Sequence, residues 1–289
     1  MTLEHQIVDS VALTSPPEIS VDAVVVSYNS GEDLERQLSC PAFRAAFRRI
    51  IVVDNASRDD SVGIARSFGV EVIPRESNDS LSAAINGGVE SADAEIVAIL
   101  NPDVLFDDAA LVARLALAFS DRSVAVNAPA LRLPDGSTQD SARDVPTPVQ
   151  LLLRRLIGVE HGVVRSAEPS DVDWIVSAFI LVRRSAFEEI GGFEEDFRLY
   201  FEDVDFCVRL WKAGWRVRID PRQVARHEHK ASSRKSLMGW AMRQHVRSAV
   251  MFFFKHPEFL ISINRGRWRE QRTAVTRRPE TTRAESGGT

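Results

Sequence analysis

The residues able to do chemistry in this 289-residue chain fall into a few short clusters. The densest is the run GGFEEDFRLYFEDVDF at 191–206, where a glycine turn and an aromatic segment lead into Glu202, Asp203 and Asp205. His227 follows within reach of the same cleft, and Asn101-Pro102-Asp103 forms a second acidic turn behind the apolar run 96–100. Carboxylate oxygens suit Mg²⁺ and Mn²⁺, which share their ligand shells with phosphates, and imidazole suits Mn²⁺. A carboxylate at 202–203 could take the proton of an acceptor hydroxyl. Metal, diphosphate and base together point to group transfer from a nucleotide-activated donor.

Each cluster also has a plainer reading. Asn101-Pro102-Asp103 fits a turn and the cap of a following helix. Glu202, Asp203 and Asp205 fit an acidic helix N-terminus favoured by the macrodipole. His227 fits a structural or exposed imidazole; His229 is the weaker of the pair around Glu228, and His161, His245 and His256 lie outside the acidic clusters. Asp54, after the second apolar run, could accept from the ring N–H of uracil or thymine, or close an Asx-turn. The chain has no Gly-Lys-Ser/Thr phosphate loop, no Gly-x-Gly-x-x-Gly after its first strand and no Gly-x-Ser-x-Gly elbow, which weakens kinase, GTPase, nicotinamide and serine-hydrolase readings. A nucleotidyltransferase would share the plan and the metal but calls for a glycine-rich loop, and SYNSGED at 27–33 supplies only Gly31.

The elements that must position these groups alternate. Val21–Val26 and Ile50–Val53 read as short buried strands, followed by Val70–Ile73 and Ile96–Leu100. Between them lie helical patterns over 32–47, broken at Pro41, from Ser57 to about Phe68, and over 82–90. Three strand–helix units in a hundred residues predict an α/β sheet with mostly parallel order, whose ligands sit at the carboxyl ends of the strands. Ser27-Tyr28-Asn29, Asp54-Asn55 and Asn101-Pro102-Asp103 all fall there. Farther on, the pattern predicts helices over 107–119, 185–190, 203–213 and 236–255, strands over 172–182 and 215–219, and a mobile or helical excursion over 146–163.

Composition sets wide bounds. A hydrophobic fraction of 44% and a charged fraction of 27% are ordinary for a globular chain with a sizeable core. A net charge of −5 argues against a nucleic-acid partner. Cys40 and Cys207 lack metal-ligand spacing and suit a reducing compartment. With no spanning apolar run and no secretory pattern at the N-terminus, the expectation is a cytoplasmic protein, or one that visits the membrane from that side.

VVVSYN at 24–29, VVDNAS at 52–57, NPDV at 101–104 and the segment 181–215 resemble family 2 glycosyltransferases, over a span from about Val21 to about His256. The resemblance implies a GT-A (Rossmann-like) α/β fold, a mixed and mostly parallel sheet flanked by helices with a C-terminal helical extension. It implies inverting transfer from a nucleotide diphosphate sugar. RLPDGSTQDSARDVPTP at 132–148 is similar to the bacterial rhamnosyltransferase branch, which includes enzymes acting on polyprenyl-diphospho-N-acetylglucosamine in cell-wall synthesis. On that likeness the donor is dTDP-L-rhamnose and the acceptor a glycan or lipid-linked glycan; a UDP-sugar donor and an inactive sugar-nucleotide-binding relative are the alternatives.

Carried over position by position, Asp203 matches the family's base, with Glu202 orienting it or the acceptor. Asp103 and His227 match its ligands for Mg²⁺ or Mn²⁺. Ser27, Tyr28, Asn29, Asp54, Asn78, Asn86 and Asn101 match the nucleotide-sugar pocket, and Trp174 and Arg143 the acceptor side. Asn101 stands where many members carry an aspartate, Asn78-Asp79-Ser80-Leu81 replaces a common Asn-x-Gly-Phe, and 174–178 lacks the glycine that often follows the tryptophan. The implied layout is a flexible lead over 1–20, a catalytic domain over 21–230 (nucleotide half 21–104, acceptor half 105–230), a helical extension over 231–263 and a disordered basic or polar tail over 264–289. Met238, Trp240, Met242 and Met251–Phe254 with nearby cations such as Arg243, Arg247, Lys255, Arg265, Arg267 and Arg269 suit either a packed helix or peripheral contact with the inner face of the plasma membrane.

Overall fold

The computed structural model describes residues 19–157, 166–228, 234–260, Trp268, Glu270 and 272–275. Most of the expected lead, His161, His229, Arg265, Arg267, Arg269 and the end of the chain lie outside the described residues, as do the side chains of Met238 and Trp240.

The first half runs β1 (Val21–Ser27), α1 (Gly31–Ser39), α2 (Pro41–Ala45), β2 (Arg49–Asp54), α3 (Ser61–Ser67), β3 (Glu71–Pro74), α4 (Leu81–Glu90) and β4 (Ile96–Leu100). After β5 (Val104–Leu105) and α5 (Ala110–Ala116) come β6 (Val124–Arg132), β7 (Ala142–Arg143), α6 (Pro148–Ile157), β8 (Ser170–Asp171), β9 (Trp174–Ile175), β10 (Phe179–Arg183) and α7 (Arg184–Glu189). The chain continues through α8 (Glu202–Lys212), β11 (Arg216–His227) and α9 (Arg234–Lys255).

The main sheet has the order β3-β2-β1-β4-β10-β6-β11-β5, with β8 on β11 and a separate β7-β9 ribbon. The first four strands are parallel, β10 is antiparallel to both neighbours, and β6 and β11 are again parallel. The sheet is covered on both faces, which is why β1 is buried at every position. Its side chains alternate, Val24 and Val26 into one core and Val21, Ala23 and Val25 into the other. At Gly88 a Cβ would fall 2.4 Å from Val24 Cγ1, so α4 reaches the sheet only because that residue is glycine.

Several elements depart from the sequence pattern. Val124–Arg132 is a central strand that Asn127 and Pro129 conceal. Asn127 gives its amide to Leu115 O at 2.9 Å, and Pro129 faces Asp220, where β11 bulges before Val224. The same bulge carries β11 through Pro221 to His227, well past the expected end at 219. The expected strand over 172–182 is broken into β9 and β10 by a turn at 176–178.

The expected disordered tail over 264–289 is corrected in part. Trp268, Glu270 and 272–275 are helical, and Trp268 and Val275 are buried in the core that also takes Phe252, Phe253 and Phe259. Arg272 pairs with Asp173 and lies 4.8 Å over the Trp211 ring. Arg272 thereby packs on α8, and the Trp268 ring meets Phe259 edge-on at 5.2 Å. Among the described residues no helix is long and apolar enough to cross a membrane.

Candidate active site

Three groups of residues meet along the carboxyl ends of the strands. At the first, parallel register sets Ser27 beside Asp54, and Asn55 N donates to Ser27 O at 2.8 Å. Asp54 Oδ2 accepts from Ser57 N at 2.9 Å, closing the Asx-turn, while its Oδ1, Ser27 Oγ and Asn55 Oδ1 are buried with no hydrogen-bond partner. Groups so buried are costly unless something completes them. Asn29, in a left-handed conformation (φ 50), accepts from Arg58 N at 2.7 Å, and Asn78 accepts from Asn55 Nδ2 at 2.9 Å. Ser27, Asn29, Asp54 and Asn78 thus come together, with Tyr28 exposed at the rim. Asn55 joins them, and its only signal in sequence is its place beside Asp54.

Asn86 does not join this pocket. Its amide donates to Phe193 O and Glu195 Oε1, each at 2.9 Å, and its oxygen accepts from Phe193 N at 2.9 Å. It clamps the Gly191-Gly192 turn, whose residues take positive φ of 75° and 70°. The structure thus places Asn86, expected in the nucleotide-sugar pocket, at that turn and not among Ser27, Asp54 and Asn78.

The second group is the turn after β4. Gln37 Nε2 donates to Asn101 O at 2.9 Å and Val104 O at 2.7 Å, pinning both ends of it. Antiparallel pairing sets His227 opposite Val104, and Glu228 N donates to Asp103 O at 2.8 Å. His227 Nε2 consequently lies 3.1 Å from Asp103 Oδ1. On its other side Nδ1 meets Gln139 Oε1 at 2.6 Å. A carboxamide oxygen only accepts, so Nδ1 carries a hydrogen and Nε2 is the atom that faces Asp103. Among the described residues no cluster of three or more His, Cys, Asp or Glu side chains suited to a metal occurs; this site has two. Gln37 and Gln139 carry no signal in sequence, since each is a lone glutamine.

The third group opens α8. Tyr200 and Phe201 both take φ 68, a left-handed conformation that is strained for aromatic residues. Phe201 is held there by Phe252 and His245 of α9, at ring distances of 5.3 and 5.5 Å, and Ser248 Oγ donates to Leu199 O at 2.9 Å. Glu202 follows, buried, its Oε2 without a partner. Burial, then the neighbouring Asp203 charge, push Glu202 up to about 8. Burial also raises Asp203, to about 7, against the opposing pull of backbone N–H groups, including that of Ser177, and of Arg143.

Arg143 pairs with Trp174 across the β7-β9 ribbon, and Trp174 Nε1 donates to Asp144 O at 3.0 Å, so both expected acceptor-side residues stand on one small platform near Asp203. The backbone joining that ribbon to β10 also reaches the second group: Asn101 N donates to Ala178 O at 2.9 Å, next to Ser177.

Asp205 behaves oppositely to its neighbours. Burial alone would raise it, but hydrogen bonds from His256 and Arg209 hold it below the usual carboxylate range. Arg209 Nε donates to it at 2.6 Å and His256 Nε2 lies at 2.9 Å. His256 therefore has an acidic companion that its place in the sequence hides.

Residues 22–191 match the family described as Glycosyl transferase family 2, and residues 149–269 match Glycosyl transferase family group 2. The N-acetylglucosaminyl-diphospho-decaprenol L-rhamnosyltransferase of Mycobacterium tuberculosis is 31% identical over 255 residues, 79% of this chain and 82% of that protein. The rhamnosyltransferase WbbL of Escherichia coli is 28% identical over 165 residues, 56% of this chain and 62% of that protein. Among solved structures, GalNAc-T7 with UDP, GalNAc and Mn²⁺ superposes with a TM-score of 0.57 at 17% identity, covering 91% of this chain and 55% of that one. The mannosyltransferase PcManGT of Pyrobaculum calidifontis with GDP-Man and Mn²⁺ gives 0.52 at 16% identity, covering 89% and 84%. The fold is GT-A, and with a family match extending over more than half its length the chain belongs to glycosyltransferase family 2.

Proposed function

We propose that this enzyme transfers L-rhamnose from dTDP-L-rhamnose, with inversion, to a polyprenyl-diphosphate-linked glycan acceptor in cell-wall or surface-polysaccharide synthesis. The observation that carries the reaction type is the shared backbone at Ser177-Ala178. Its N–H at Ser177 serves Asp203, and its carbonyl at Ala178 receives Asn101, two residues before Asp103. A raised carboxyl and a ligand pair therefore flank one stretch of chain. The sugar and acceptor are supported by likeness to the mycobacterial rhamnosyltransferase.

In this reading Ser27, Asn29, Asp54, Asn55 and Asn78 bind the nucleoside, and buried Asp54 Oδ1 accepts the thymine ring N–H. Asp103 and His227 fit a divalent cation: one offers carboxylate oxygens, the other an imidazole nitrogen whose tautomer Gln139 fixes. When bound there, Mg²⁺ or Mn²⁺ would offset the negative charge of the diphosphate. Asp203 takes the proton from the acceptor hydroxyl as that oxygen attacks the anomeric carbon from the face opposite the diphosphate. The carbon–oxygen bond to the nucleotide breaks as the new one forms, and dTDP leaves with the bonding pair. Burial and the neighbouring Asp203 charge raise Glu202, and a protonated Glu202 spares Asp203 a second adjacent charge. Trp174 and Arg143 line the acceptor side.

The test is product formation from dTDP-L-rhamnose and a polyprenyl-diphospho-N-acetylglucosamine analogue with Mn²⁺ or Mg²⁺, run beside UDP-sugars. The expected result is rhamnose transfer that EDTA abolishes. Turnover of a UDP-sugar instead would keep the family and reject the rhamnosyl donor.

A further inference from the structure

The last three turns of α9 have two unlike faces. Ser248, Phe252, Phe253 and His256 are turned to the protein and buried. The opposite face carries Val246, Val250 and Phe254, spaced four apart and 55%, 65% and 87% exposed. Spacing by four stacks side chains along one stripe of a helix. Arg243 and Arg247 are exposed on the same turns, and neither has an ion-pair partner among the described residues. A row of large apolar side chains on a surface, edged by exposed cations, marks an interaction face.

Charge along the chain singles out the same region. Between Arg234 and Arg278 the sequence holds eleven Lys or Arg against two Glu, although the chain as a whole carries −5. The remainder is thus strongly acidic, and the cations are concentrated in the stretch of sequence that includes the apolar stripe, where Lys255 pairs with Glu194 and Arg272 with Asp173. A protein partner would need only the stripe; a sheet of anionic headgroups over hydrocarbon answers both features at once.

We infer that the Val246–Val250–Phe254 face of α9 docks on an anionic lipid bilayer. The stripe enters the headgroup boundary and Arg243 and Arg247 meet lipid phosphates. The inference deepens the proposed lipid-linked acceptor and depends on that reading for its purpose, not for its evidence. The buried face of the same turns grips Leu199 and Phe201, immediately before Glu202-Asp203. Docking therefore brings the entrance of the catalytic helix to the plane where a polyprenyl diphosphate presents its head.

The test is flotation of the full chain with vesicles of phosphatidylcholine alone or mixed with phosphatidylglycerol, at low and high salt. In parallel, turnover is measured with a short-chain, water-soluble acceptor analogue. The expected result is binding to the mixed vesicles only, weakened by salt, and lowered about tenfold or more in Val250→Glu/Phe254→Glu and in Arg243→Glu/Arg247→Glu. Both variants should keep wild-type melting behaviour and turnover of the soluble analogue. Absence of wild-type binding, or binding unchanged in both variants, would overturn the inference. So would a wild-type dimer in sedimentation that Val250→Glu/Phe254→Glu dissociates, because a second copy would then cover the stripe. Failure of rhamnose transfer in solution alongside normal flotation would instead count against the proposed reaction alone.

Discussion

His256 Nε2 lies 2.9 Å from Asp205 Oδ1, joining the C-terminal extension to the first turn of the helix that carries Glu202 and Asp203. Lys212 Nζ, 2.8 Å from His256 Nδ1, has only donors to offer, so Nδ1 accepts and Nε2–H is given to Asp205. Glu258 completes the chain at 2.6 Å from Lys212, and Arg209 links Asp205 to Ile190 O and Gly192 O at 2.8 and 2.7 Å. The extension thereby supports the helix that carries the proposed base. His256→Leu should lower kcat by about tenfold or more with donor KM nearly unchanged, since it leaves a buried carboxylate short of a donor. His256→Gln, which restores an N–H, should recover most of the loss. Lys212→Met tests the tautomer from the half-exposed side without opening a cavity, and steady-state kinetics on the three variants decide it.

The two raised acids make activity and stability respond to pH in opposite directions. A base must be ionised, so kcat/KM should climb through the Asp203 value of about 7. Glu202 rises from 4.5 to about 8 on folding, so within that window the folded chain keeps a proton that the unfolded chain has released. Stability then falls as pH rises through the window. Glu202→Gln, neutral at every pH, should flatten that fall and exceed the parent at pH 8. The gain is set by about 1.4 kcal/mol for each pKa unit removed. Melting curves from pH 5 to 9 check the sign (the span brackets ordinary and raised carboxyl values).

Gln139 is expected to act on the metal through His227. Removing its carboxamide with Gln139→Leu frees the imidazole to turn, and loss of such a partner costs about 10–100-fold in metal affinity. The Mn²⁺ activation curve should move to higher concentration while the maximal rate at saturating Mn²⁺ stays near that of the parent.

At the nucleoside end, Asp54→Ala removes the buried oxygen that awaits a donor. Hydrogen bonds to charged groups are worth about 1.5–3 kcal/mol, so dTDP affinity should fall about 10–100-fold. Calorimetric titration with dTDP reads this directly.

Much of this site is written in short-range sequence. Ser27, Asp54 and Asp103 each end an apolar run, so strand topology alone gathers them. His227 was legible as a residue but not as the partner of Asp103, because the bulge at Asp220–Val224 that carries β11 past Pro221 leaves no mark in the pattern. Asn127 and Pro129 hid β6 by breaking an apolar run that the sheet tolerates through one side-chain hydrogen bond and that same bulge. The family resemblance alone places Asn86 in the pocket. Only the fold reveals that the Gly191-Gly192 turn, about a hundred residues later, consumes its amide. His256 stayed silent for the same reason: its partner Asp205 is close in space and distant in sequence.

The most direct measurement is rhamnose transfer by Asp203→Asn, paired with calorimetric binding of dTDP to the same protein. The expected result is a kcat lowered by about 10²–10⁴-fold, the loss typical of a removed general base, with dTDP affinity unchanged. Near-normal turnover by a folded Asp203→Asn enzyme would contradict it and remove Asp203 from the reaction.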